Sequence, residues 1–254
     1  WAAAHATLFD VPTGAANPLA ALVARSFATP ALGDLDRDGD LDFVAGAQDG
    51  TFSFFANTGS ATAPAFVQRT GAANPFGGIN LGFYSTASLA DLDGDGDLDF
   101  VAGAGNTGGF AYYANTGSAA SPAFVQRTGA ANPLGAFSVV GSAAPAFGDL
   151  DGDGDLDLVA GESQGVLHFF ENTGQRTAPA FVERTGLANP VAVFGVAAYS
   201  NPALADLDED GDLDLVVGEF SGVLTFVENT GFATAPIPLN GGATSPISSR
   251  RGAR

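Results

Sequence analysis

Residues 91–99 read "DLDGDGDLD", five carboxylates in nine positions. The same nine letters return at 149–157, and with one residue changed at 34–42 ("DLDRDGDLD") and 206–214 ("DLDEDGDLD"). Like charges this close repel, so four such loops require a common cause. Their aspartates are twenty of the chain's 28 acidic residues, which leaves eight acids against nine basic residues; the formal net charge of −19 is local. A field of this sign repels nucleic acid, and no basic patch with interleaved aromatics offsets it.

The loops start at Asp34, Asp91, Asp149 and Asp206, and other landmarks keep the same step. Asn-Thr-Gly recurs from Asn57, Asn115, Asn172 and Asn229, and Asn-Pro from Asn17, Asn74, Asn132 and Asn189. One unit therefore occurs four times in 254 residues. Within the first unit, "PALGDL" precedes the loop, "LDFVAGA" follows it, "TFSFFANTG" alternates and "PAFVQRTG" ends in turn residues, which predicts four strands. Gly and Pro interrupt every stretch, and "PLAALVARSFA" at 18–28 reads as loop because its counterparts are not helical.

Four strands per unit, stacked because one sheet cannot bury both faces alone, describe an all-β fold: a β-propeller of four four-stranded blades. The propeller is expected over residues 7–232. Residues 1–6 read as a leader remnant or irregular start, and 233–254 as a polar, disordered C-terminal tail. "TLFDVPTG" at 7–14 matches the outer strand "PAFVQRTG", so this N-terminal strand is expected to close the last blade. "TAPIPLNG" near the C-terminus is a rival weakened by Pro236 and Pro238.

In D-x-D-x-D-G-D-L-D, carboxylates at positions 1, 3, 5 and 9 converge if the chain turns tightly at the position 6 glycine. They offer the hard oxygen ligands, about six to eight, that Ca²⁺ takes. Position 7 is expected to add its backbone carbonyl while its side chain points to solvent. Four Ca²⁺ sites follow: Asp34, Asp36, Asp38 and Asp42 with Asp40; Asp91, Asp93, Asp95 and Asp99 with Asp97; Asp149, Asp151, Asp153 and Asp157 with Asp155; Asp206, Asp208, Asp210 and Asp214 with Asp212. An EF-hand needs a bidentate Glu at position 12; here that position is Ala45, Ala102, Ala160 and Val217.

The run "PAFGDLDGDGDLDLVAGESQGVLHFFENTG" resembles a repeat of the FG-GAP and VCBS type, a family that builds calcium-binding propellers in integrin α-subunits, some lectins and many bacterial surface proteins. The resemblance spans roughly residues 7–232. It implies that the loop joins the first and second strands of a blade and that the position 1, 3, 5 and 9 aspartates bind the ion. Propellers of this family commonly carry more blades, so closure as a ring of four, a larger ring from two chains and a place in a longer array all stay open.

Catalysis is not expected. "GESQG" at 161–165 fits a nucleophile-elbow pattern at Ser163, yet no helix follows, and the other units carry hairpin turns there. His5 and His168 are the two histidines, and there is no cysteine for a thiolate metal site or a disulfide. No apolar run is long enough to span a bilayer. The expected role is an exported structural or adhesive module at the cell surface, with self-association as one partner class. The alternative is a lectin-like or peptide-binding propeller recognising glycans or proteins, for which Phe27, Tyr84 and Tyr199 are the ligand-binding candidates.

Overall fold

The computed structural model describes residues 17–20, 22–118 and 121–230, and the backbone of 247–250. The expectations for 1–6 and for a strand at 7–14 lie outside the described residues. Among the described residues, sixteen strands form four four-stranded antiparallel sheets, arranged as a four-blade β-propeller.

The first blade is β1 (Thr29–Gly33), β2 (Asp42–Gly46), β3 (Phe52–Asn57) and β4 (Phe66–Arg69). The second is β5 (Thr86–Ala90), β6 (Asp99–Gly103), β7 (Phe110–Asn115) and β8 (Phe124–Arg127). The third is β9 (Ala144–Gly148), β10 (Asp157–Gly161), β11 (Leu167–Asn172) and β12 (Phe181–Arg184). The fourth is β13 (Asn201–Ala205), β14 (Asp214–Gly218), β15 (Leu224–Asn229) and β16 (Ile247–Arg250). Each acidic loop joins the first strand of its blade to the second, as the resemblance implies. The only helical turns among the described residues are 3₁₀ segments at Gly71–Ala73, Gly129–Ala131 and Gly186–Ala188, just before the Asn-Pro pairs.

Blades stack through aromatic and aliphatic side chains. Between the first and second, Phe52 meets Phe100 edge-on at 4.9 Å, and Phe76 from the connecting segment meets Phe100 at 4.8 Å. Phe110, Leu134, Leu158 and Phe170 fill the next junction; Leu167, Phe169, Val191 and Leu215 fill the third. Each fully buried side chain of this size contributes about 1.5–3 kcal/mol. In the first three blades the glycine that ends the second strand is where the next blade presses its backbone. A Cβ on Gly103 would lie 2.0 Å from the Ala143 carbonyl oxygen.

The fourth sheet corrects two expectations. Its outer place, assigned from the sequence to residues 7–14, is held by β16, so four residues of the expected disordered tail are a strand. Ile247 pairs with Asn229 as Phe66 pairs with Asn57, and Arg250 pairs with Phe226 as Arg69 pairs with Phe54. "ISSR" thus repeats the register of "FVQR", and its backbone satisfies the free edge of β15.

Candidate metal centre

Each acidic loop is shaped by two left-handed residues. The position 6 glycines, Gly39, Gly96, Gly154 and Gly211, have φ between 92° and 98°. Position 4 is also left-handed: Arg37 at 56°, Gly94 at 72°, Gly152 at 76° and Glu209 at 63°. The loop therefore curls around its own first aspartate, whose carboxylate accepts the position 6 amide at 3.0–3.1 Å in all four copies.

That curl gathers carboxylate oxygens. Asp34, Asp36 and Asp38 offer ligand atoms within 4.8 Å of one another, as do Asp91, Asp93 and Asp95, and Asp206, Asp208 and Asp210. In the third loop the gathered set is Asp149, Asp151 and Asp157. Positions 1, 3 and 5 thus converge in three repeats, and position 9 joins positions 1 and 3 in the remaining one.

Position 9 also works as a staple. Asp42 accepts the Leu35 amide at 3.2 Å and the Asn57 amide at 2.7 Å, tying the loop to the end of the third strand. Asp99, Asp157 and Asp214 repeat both bonds. Asp99 accepts a further one from the Tyr112 hydroxyl at 2.9 Å. Burial pushes the Asp157 carboxyl up to about 7 and the Asp99 carboxyl up to about 6, against the amide bonds that lower them.

The side chain at position 7 corrects the sequence reading. Asp40, Asp155 and Asp212 are buried, whereas solvent exposure was expected. The glycine at position 6 turns the chain back, the position 7 amide donates to the position 5 carboxylate, and the side chain tucks inward. Asp97 is less covered and pairs with Arg37 of the preceding blade at 3.0 Å. Burial, reinforced by neighbouring carboxylates, raises Asp155 and Asp212 to about 6.

The donor set fits a hard divalent cation. Buried oxygens of Asp36, Asp91, Asp155 and Asp212 have no hydrogen-bond partner. An unpaired buried carboxylate oxygen is costly. An ion taking only oxygen ligands satisfies several at once. Arg176 from the third blade reaches Asp91 at 2.8 Å, a partial counter-charge at one edge of that loop.

A model of the FG-GAP-like repeat matches residues 34–102, 91–160 and 149–217. The chain belongs to the FG-GAP-like repeat family. Each match starts at one acidic loop and runs past the next, so the repeat that the family defines is the blade-to-blade step seen here. No curated protein sequence matches. One solved structure with a similar fold is that of an Agrocybe aegerita lectin, described by its specific recognition of non-reducing terminal N-acetylglucosamine. It shares 17% identity with this FG-GAP-like chain at a TM-score of 0.45, over 82% of this chain and 52% of the lectin chain. The chain thus spans about half the length of that lectin.

The ligand candidates lie at the opposite strand ends from the acidic loops. Phe27, Tyr84 and Tyr199, which hold one repeat position, rim a cavity of about 240 Å³ together with Phe220, Thr86 and Asn201. All three have left-handed backbone, at φ 58°, 44° and 53°, which is strained for bulky residues. Two residues flagged in the sequence have structural partners. The Ser163 hydroxyl accepts the Ser142 amide at 2.8 Å, and His168 Nδ1 lies 2.9 Å from Glu183. Among the described residues no helix is long and apolar enough to cross a membrane.

Proposed function

We propose that this FG-GAP-like chain is a calcium-binding, non-catalytic propeller acting as a structural or adhesive module outside the cell. The observation that carries the reading is the fourfold gathering of three aspartates within 4.8 Å, with buried carboxylate oxygens left unpartnered. Positions 1, 3 and 5 would hold the ion, with position 9 and the inward position 7 completing the set. Bound calcium offsets part of the repulsion that otherwise strains each loop. The chain's own part is to pre-curl the loop through two left-handed residues and to pin it to the third strand through position 9.

Sites of the extracellular class bind with constants of about 10⁻⁴–10⁻³ M, so each filled loop adds about 0.4–1.4 kcal/mol at millimolar calcium. Four together reach about 2–6 kcal/mol, comparable to the stability of a typical domain. Weak sites fill only where calcium is abundant, which supports an exported protein. The test is a thermal melt of chelator-treated protein with Ca²⁺ restored, and with Mg²⁺ in its place. Stabilisation by Ca²⁺ above Mg²⁺ is expected; a melt indifferent to both ions sinks the reading.

The cavity rimmed by Phe27, Tyr84 and Tyr199 favours a second reading, as a binding mouth for a neutral, hydroxyl-rich ligand such as a glycan. Three strained aromatics at one repeat position, beside the hydroxyl of Thr86 and the amide of Asn201, suit ring stacking with hydrogen bonding. Saturable binding on a glycan panel, lost in Tyr199→Ala, is the expected result; no binding on any panel member counts against it.

A further inference from the structure

Three times in this chain the trailing face of one blade is covered by the leading face of the next, and each cover has the same parts. The Asn-Pro asparagine donates its Nδ2 to the first carbonyl of the preceding blade's third strand: Asn74 to Phe52 at 3.1 Å, Asn132 to Phe110 at 3.0 Å, Asn189 to Leu167 at 3.0 Å. Two residues on, Phe76, Leu134 and Val191 are fully buried in the junction. At the end of the second strand, a Cβ on Gly46, Gly103 or Gly161 would strike the carbonyl oxygen of Ser85, Ala143 or Ser200 at 2.0–2.2 Å.

The fourth blade's trailing face has every receiving part and no cover among the described residues. Leu224 is 70% exposed, whereas its counterparts Phe52, Phe110 and Leu167 are buried. A Cβ on Gly218 would meet nothing nearer than 3.6 Å. At the other end, the first blade carries the inserting parts with no acceptor for them among the described residues. The Asn17 side chain accepts the Leu19 amide at 2.9 Å, the turn in which Asn74 holds Phe76, yet Leu19 is 49% exposed. Leu32 and Leu41, whose counterparts in the later blades are partly buried, are also exposed. The first strands of consecutive blades pack as β1 on β5, β5 on β9 and β9 on β13, and no comparably extensive packing joins β13 to β1.

We propose that these two faces bind each other between copies of the chain, head to tail. Asn17 of one copy donates to the Leu224 carbonyl of a second, Leu19 covers Leu224 and Phe226, and the Ala28 backbone, at the repeat position of Ser85, Ala143 and Ser200, presses on Gly218. The occupant is a second copy because the interface continues the one built three times within the chain. It is heterologous, each copy using two different surfaces, so it closes into a ring or runs on. It stands on blade packing alone and does not require that the loops hold an ion.

The test is the mass of the purified chain by light scattering coupled to size exclusion, across a dilution series, with and without Ca²⁺. A multiple of the chain mass is expected. Leu19→Asp spoils only the head, and Gly218→Ala or Leu224→Asp only the tail; all three positions are open in a single copy, so each variant is expected to fold and run as a monomer. Mixing a head variant with a tail variant leaves one intact pairing, so a one-to-one complex is expected, which a two-fold symmetric contact could not restore. A wild-type chain that is monomeric throughout overturns the proposal, as does a variant that keeps the wild-type mass or a mixture that stays monomeric.

Discussion

Position 4 of the acidic loop shows how far a single residue is constrained by the curl. Gly94 and Gly152 take the left-handed backbone without penalty, while Arg37 and Glu209 are forced into it. Arg37 has a compensation in its pair with Asp97. Glu209 adds a negative charge beside five others. Glu209→Gly is therefore expected to stabilise the chain by about 1 kcal/mol, seen as a melting temperature higher by roughly 2–4 °C; an unchanged or lower melt contradicts the strain argument. Position 9 gives a pH signature. Burial raises Asp157 to about 7 and Asp99 to about 6, above the unfolded value near 4, so the native metal-free state binds protons more readily than the unfolded chain. Its stability then increases as pH falls from about 8 to 5. Calcium requires the ionised carboxylates, so the loaded protein follows the opposite trend. Melts in chelator and in calcium over that range are expected to slope in opposite directions.

Among the elements, glycine at the end of the second strand sets how closely blades approach. Gly103→Ala places a methyl 2.0 Å from the Ala143 carbonyl and 2.5 Å from Thr86 Oγ1, and the backbone partner cannot swing aside. A loss of about 1–3 kcal/mol is expected in a denaturant titration. Gly78→Ala, where nothing lies within 4 Å, is the control with little expected change. Strand identity was legible in the sequence because alternation and turn residues repeat four times in register, and the gathering of carboxylates was legible because the aspartate spacing with the position 6 glycine brings positions 1, 3 and 5 together in three loops, position 9 standing for position 5 in the other. Two things were hidden. "ISSR" carries two serines where the other outer strands carry Val and Gln or Glu, so its hydrophobic signal is faint, although its final arginine keeps the repeat. The inward turn at position 7 depends on the φ of the preceding glycine, a backbone property that letters do not display.

At the scale of the molecule the repeat makes two unlike faces. Every acidic loop joins a first strand to a second, so all four lie at one end of the blades; the aromatics Phe27, Tyr84 and Tyr199 precede first strands and lie at the other. Charge is thus concentrated on one face, where neighbouring loops touch through the Arg37–Asp97 pair. Without a bound cation the repulsion among twenty aspartates opposes folding, and screening relieves it, because the Debye length shrinks from about 10 Å at 0.1 M salt to about 3 Å at 1 M. Raising NaCl over that range is therefore expected to stabilise the chelated protein. On the proposed calcium reading, four Ca²⁺ ions offset eight of those twenty charges at contact distance and added salt weakens their attraction, so a smaller gain than in chelator, or a small loss, is expected. The paired salt titrations separate the two sources of stabilisation. A chelated melt unmoved by salt would mean that loop repulsion is not what calcium relieves.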